Sequence, residues 1–171
     1  GLIALSSGIE GDIGQALVAN DEETAKQRLQ AWQALFPNRF YLEVSRTGKP
    51  QEEFYVQRIA KLGEEFSIPL VATNDVRFLE RSDFEAHEAR VCIQEGMTLN
   101  DPQRPRLYTE QQYLRNQQEM LRLFADMPEA LQNTIEIAKR CNVTFTLGQN
   151  SLPHFPVPKE ETTETYLCVV A

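Results

Sequence analysis

The chain has 171 residues and a formal net charge of −8, from 17 Lys and Arg against 25 Asp and Glu. Hydrophobic residues make up 42% and charged residues 25%, the balance of a globular chain rather than a disordered or fibrous one. The length fits roughly one domain and supports a real core. Its apolar runs fall far short of the roughly 20 residues of a bilayer span, so no membrane role is expected. Gly1 to Ser7 lack the basic flank and long apolar stretch of a signal peptide. Cys92, Cys141 and Cys168 are widely spaced, without a CxxC pair, which argues against a disulfide framework or zinc site and for a reducing cytoplasm. Net negative charge argues against a main phosphate-gripping surface in this stretch. The Arg77, Arg81, Arg90, Arg104 and Arg106 group reads as a solvated face.

Leu2 to Leu5 is a short apolar run that predicts a buried strand, ending in the Ser6-Ser7-Gly8 turn. Asp21 to Phe36 is Ala-rich, with Ala25, Leu29, Trp32 and Phe36 at helical spacing and Asp21 placed to cap. Phe40 to Val44 predicts a second strand, and Thr47-Gly48-Lys49-Pro50 a turn. A helix follows over about 51–66, with Phe54, Ile59 and Leu62 among its apolar positions. Ile68 to Thr73 predicts a third buried strand, and about 82–95 a helix capped by Ser82 or Asp83. This alternation is the signature of right-handed βαβ units on a parallel sheet or barrel, and three strands are too few to close a barrel.

Beyond Thr98 the pattern changes. Residues 98–107 read as a proline-punctuated connection, 110–124 and 128–141 as helices, and 143–147 as a short strand. Pro128 sits at a first helical position, and Ala130, Ile137 and Ala138 supply an apolar stripe. Residues 151–159 hold Pro153, Pro156 and Pro158 and predict an extended linker; 161–171 restarts a helical pattern.

In parallel α/β folds, functional groups gather at the C-terminal ends of strands. That rule selects Ser6-Ser7-Gly8, Glu43 to Thr47, and Asn74-Asp75-Val76-Arg77. A carboxylate just past a buried strand, such as Asp75, suits a metal or an activated water; equally it caps the next turn with Asn74 in support. Glu43 either faces solvent or is buried with Arg46 or Arg77 as its partner. His87 and Glu88 lie mid-helix beside Asp83 and Glu85, where a lone His is more often structural than a ligand; His154 lies in the proline linker. The Asp101-Pro102 and Arg104-Pro105-Arg106 segment is a weak signal for phosphate or for an acidic neighbour. No phosphate-loop, dinucleotide or nucleophile-elbow motif is present.

The run Ile68-Pro69-Leu70-Val71-Ala72-Thr73-Asn74-Asp75-Val76 resembles a block of the bacterial DNA polymerase III alpha subunits, the C-family replicative polymerases. Gly1 to Ser6, Phe40 to Glu43, Ser82 to Glu88, Pro128 to Thr134, Ile137 to Asn142 and Leu152 to Pro156 resemble further blocks in the same order. The resemblance implies that residues 1–100 are the later part of a polymerase-and-histidinol-phosphatase (PHP) domain, a distorted (β/α)7 barrel. It implies a helical end of that domain over 101–150, and a linker and palm start over 151–171. It further implies a parent whose activity is DNA-directed DNA synthesis, with magnesium held by palm carboxylates outside this chain. The implied role of this stretch is a scaffold that docks the proofreading exonuclease (epsilon-type) subunit, with other replicase subunits as partners and DNA reached through other domains.

Metal-binding members of the family carry a Cys after the first strand here, a His after the second, and a His two residues beyond the Asp that follows the third. Gly8 (or Ser7), Thr47 and Arg77 stand at those places, so Asp75 alone survives. Arginine stays protonated and is no ligand. The expectation is a degenerate, metal-free site without catalytic residues or cofactor, held by salt bridges among Asp75, Arg77 and Glu43. The alternative is a metal-dependent PHP phosphoesterase, which needs a His-rich site. Open sheet edges predict either a partner-stabilised or oligomeric piece, or rearranged packing.

Overall fold

A computed structural model of the chain describes residues 1–149 and 156–170. These fall into two units, Gly1–Cys141 and Asn142–Ala171. The first is mixed α/β. Strands β1 (Ala4–Leu5), β2 (Phe40–Ser45) and β3 (Leu70–Thr73) form one parallel sheet in that order. Ala4 lies opposite Phe40, and Leu42 opposite Leu70.

Helices α1 (Asp12–Val18) and α2 (Glu22–Leu35) connect β1 to β2, and α3 (Glu52–Phe66) connects β2 to β3. The Asp21 carboxylate accepts the Thr24 amide at 3.0 Å and starts α2 as an N-cap. α3 turns Tyr55, Val56, Ile59 and Leu62 inward, while Phe54 stays partly exposed beneath the Arg58 guanidinium, 4.4 Å from its ring centre. The core joins these side chains to Leu42 and Val44 of β2 and to Ile13, Leu17 and Leu29. Each such burial contributes roughly 1.5–3 kcal/mol.

α1 breaks the sequence expectation, which ran from the Ser6-Ser7-Gly8 turn straight to Asp21. Its seven residues are too few for a periodic signal, yet Ile13 and Leu17 are fully buried. Gly14 explains the tight entry: a Cβ there meets the Gly8 carbonyl oxygen at 2.3 Å, so only glycine admits that approach.

Further departures follow from missing partners. The 2–5 run yields a two-residue strand at the sheet margin, with Leu2 76% exposed, because no strand lies beyond β1 among the described residues. α4 (Phe84–Glu95) is preceded by a 3-10 turn over Arg81–Asp83, closed by reciprocal Glu80 and Asp83 side-chain bonds; of the two expected caps, Asp83 stands at the N-cap of α4, but its side chain makes no capping bond to that helix. Residues 110–116 are not helical. They run along the strand ends, with Phe78 bridging Tyr113, and α5 (Gln117–Leu123) starts at a capping box of Asn116 and Glu119. α6 (Pro128–Arg140) begins with its proline in place and buries Ala130, but Ala138 is exposed.

In the second unit, 143–147 forms no strand despite its alternation. Val143, Phe145 and Leu147 are exposed, and an unpaired strand satisfies none of its backbone groups. Helix α7 (Thr163–Val170) follows. Most of the expected proline linker, with His154 and the 152–155 portion of the Leu152–Pro156 block, lies outside the described residues. The three cysteines are free, with Cys92 buried. Among the described residues, no helix is long and apolar enough to cross a membrane.

Candidate functional site

The parallel sheet sends its strand ends to one side, and a cleft of about 460 Å³ opens there. Its lining brings together the three segments selected from the sequence, through Gly8, Glu43, Asp75 and Arg77, and adds Lys49 and Tyr108. Asp75 has φ +41°, in the left-handed region that a residue with a Cβ enters at a cost of about 1–3 kcal/mol. Its carboxylate is held on three sides. Arg77 Nη2 lies 2.8 Å from Oδ1, Lys49 Nζ lies 3.3 Å from Oδ2, and the Gln112 amide donates to Oδ2 at 2.7 Å. Gln112 is itself fully buried, and its carbonyl accepts the Thr109 amide at 2.9 Å.

Asp75 therefore caps no turn, and Asn74 does different work. Its amide donates to the Gln111 and Tyr113 carbonyls at 3.1 and 2.7 Å and its carbonyl accepts Arg115 Nε at 3.1 Å. These bonds stitch the 109–115 strap across the strand ends. Thr47 ties the same strap, since its carbonyl accepts the Thr109 hydroxyl. The fully buried Thr47 hydroxyl is turned to Glu52, donating at 2.9 Å. Glu52 also accepts the Thr47 and Gly48 amides at 2.6 and 2.9 Å and the Ser45 hydroxyl at 2.9 Å, which closes the turn entering α3.

Glu43 pairs with neither Arg46 nor Arg77. It is half-buried, and Oε1 accepts the Thr73 hydroxyl from the neighbouring strand at 2.8 Å. Tyr55 donates to the Glu43 backbone carbonyl at 2.8 Å; burial, above all, and the nearby Glu43 charge push the Tyr55 phenol well above its ordinary value, against a lowering bond with Ser6. Arg46 turns away, to Asp126 and Glu53 at 2.6 and 3.1 Å and to the Leu123 carbonyl, and bonding to Asp126 raises its already high pKa further. Gly8 offers no side-chain donor, and with Ser7 it forms a left-handed pair at φ +57° and +60°.

These donors do not fit a metal. Of the four positions at which the resemblance implies ligands, one holds a hydroxyl committed to Glu52, one a cation, one no side-chain donor, and the last is Asp75, already engaged by two cations and an amide. No cluster of three metal-binding side chains occurs among the described residues.

The basic group is not one solvated face. Arg104 is largely buried against the equally buried Glu88, while Arg81 pairs with Glu110 at 2.6 Å on the surface. His87 is buried in α4 and does not itself line the cleft. Lys49, Glu52, Thr73 and Gln112 were not singled out from the sequence. A Glu in the first helical turn after Thr-Gly is a readable sign for Glu52; Gln112 has none, because its role depends on a contact 37 residues away.

A PHP domain family model matches residues 1–47. The DNA polymerase III subunit alpha of Pseudomonas aeruginosa is 53% identical over 167 residues, 98% of this chain. That of Escherichia coli K12 is 52% identical over the same share, and that of Haemophilus influenzae 52% identical over 91% of the chain. This chain is homologous to a segment of the DNA polymerase III alpha subunits. It spans 14% of the length of these curated relatives. The strand-end cleft thus lies in a chain similar to a segment of those subunits, and β1, α1, α2, β2 and Thr47 all fall within the residues that match the PHP model.

Proposed function

We propose that this chain is a non-catalytic, PHP-type scaffold of a replicative DNA polymerase. On this reading the three parallel strands are the later part of a distorted (β/α)7 barrel, with the PHP portion over residues 1–100. Residues 101–150 form its helical end, and 151–171 lead to the polymerase palm. Nucleotidyl transfer with magnesium belongs to the parent's palm. This stretch contributes stability and docks the proofreading exonuclease subunit, alongside other replicase subunits, in the cytoplasm.

The observation that carries the reading is the cage around Asp75. In an active site of this family a surviving carboxylate needs the charge of a metal. Here Arg77 and Lys49 supply positive charge within 2.8 and 3.3 Å, and Gln112 supplies a donor. The polar groups that face one another are satisfied without a metal, and the loops they hold become a strut. The competing phosphoesterase requires metal-held water, and this donor set offers no place for it.

Co-elution tests the docking role. The purified chain is expected to form a complex with the proofreading exonuclease subunit of a related replicase, and to show no EDTA-sensitive phosphatase activity. Phosphomonoester hydrolysis abolished by EDTA contradicts the scaffold reading, and failure to bind the exonuclease removes its docking half.

A further inference from the structure

The α4 face toward the 104–108 segment carries a buried imidazole whose chemistry the scaffold role does not use. His87 is 7% exposed. Its ring meets Tyr108 edge-on with centroids 4.7 Å apart and lies 5.5 Å from the Phe78 ring. Arg90 Nη2 stands 3.1 Å from Nδ1, and Nε2 is buried without a hydrogen-bond partner. A guanidinium only donates, so Nδ1 accepts and the proton of the neutral ring sits on Nε2. A second proton must go to Nδ1, directly against Arg90. That contact cannot survive it.

The charged surroundings reinforce this. On α4 itself Arg90 and Glu88 face the ring, from the loop after β3 comes Arg77, and from the 104–108 segment Tyr108. Glu88 is committed to Arg104, leaving its charge largely neutralised. Arg77 also lies over the Tyr108 ring, 5.4 Å from its centre. Burial first, then Arg90, with Arg77 behind it, hold the His87 pKa below its ordinary value, and Glu88 offsets them only in part.

Tyr108 lines both the strand-end cleft and a second pocket, of about 460 Å³, between α4 and the 99–108 connection. Whatever moves Tyr108 therefore opens one wall shared by both. We propose that His87 is a pH-sensitive latch: neutral, it seats Tyr108 on α4, and protonated, it releases that ring and widens the mouth of the cleft. The latch is independent of how Asp75 is read. Its sign follows from the neutral form being the packed one: the contribution is complete above the ordinary histidine value and is lost as pH falls through the lower folded value.

The chain has two histidines, so ring resonances are readily assigned. The test is an NMR titration of the full 171-residue chain from pH 8 to 5, following both imidazoles and the amides of Arg104, Arg106, Leu107 and Tyr108. His87 is expected to titrate below 6.5, the ordinary value, and these amides to move with the same midpoint. Arg90→Gln is expected to raise that midpoint. His87→Phe, which keeps the ring packing, is expected to leave the four amides still. A His87 midpoint at or above the ordinary value, amides that ignore it, or a midpoint unmoved in Arg90→Gln overturns the latch. Should a variant fail to fold, the two wild-type readouts decide.

Discussion

The two margins of the sheet are finished differently. β1 ends it with two paired residues and exposed Leu2 and Leu5, and no strand lies beyond it among the described residues. β3 is covered by α6. The Leu42 amide takes the Pro69 carbonyl, so by strand alternation the Leu70 carbonyl points outward, and the Asn133 side chain donates to it at 2.7 Å. A bare edge is a template for another strand, and a helix-covered one is not. The comparison therefore says where the sheet can grow: beside β1.

The covered margin is anchored by fully buried Phe124, at the end of α5 under the Arg46 guanidinium. Phe124→Ala is expected to cost about 3–5 kcal/mol, read by urea denaturation; a loss below about 1 kcal/mol breaks the claim that α5 and α6 are integral to the sheet. Glu52→Ala comes next. It leaves the Thr47 and Gly48 amides without their acceptor and is expected to cost about 1–3 kcal/mol, without loss of the strands by circular dichroism. Asn133→Ala is expected to cost about 1 kcal/mol and to raise self-association by baring the β3 edge. Leu5→Lys sharpens the contrast from the other side. Stability is expected to change by less than about 0.5 kcal/mol, while sedimentation shows less self-association than wild type.

The smallest effect expected is acid sensitivity at the link between the β2 exit and α5–α6. Bonding to Arg46 holds the Asp126 carboxyl below its ordinary value, which offsets some desolvation. The lowered value means the link contributes fully above the ordinary aspartate range and is lost as pH falls through the folded value. Melting temperature should fall below about pH 4 in wild type and fall less steeply in Asp126→Asn. An unchanged acid limb removes Asp126 from the account.

Periodicity and breakers made the βαβ alternation legible, because Leu29, Ile59, Ala72 and their neighbours fill one continuous core. What periodicity does not encode was missed. α1 is too short to show a period, and it stands on Gly14 fitting against a carbonyl. The apparent helix over 110–116 has the composition of one, but Asn74, Asp75 and Thr47 claim its backbone and side chains for the strap. For the site, the rule of strand C-terminal ends gathered Gly8, Glu43, Asp75 and Arg77 around one cleft. It gave no access to partner choice. Glu43 was offered Arg46 or Arg77 and took Thr73, the hydroxyl beside it in the sheet. Lys49 and Gln112 reach Asp75 from other loops, and such long-range pairs leave no local pattern.

The central claim is that cations and an amide, rather than a metal ion, hold Asp75. Its most direct test is elemental analysis of the chain after equilibration with zinc and desalting, for wild type and Asp75→Ala side by side. The account predicts no stoichiometric zinc in either protein. One zinc per chain in wild type, lost in Asp75→Ala, contradicts it.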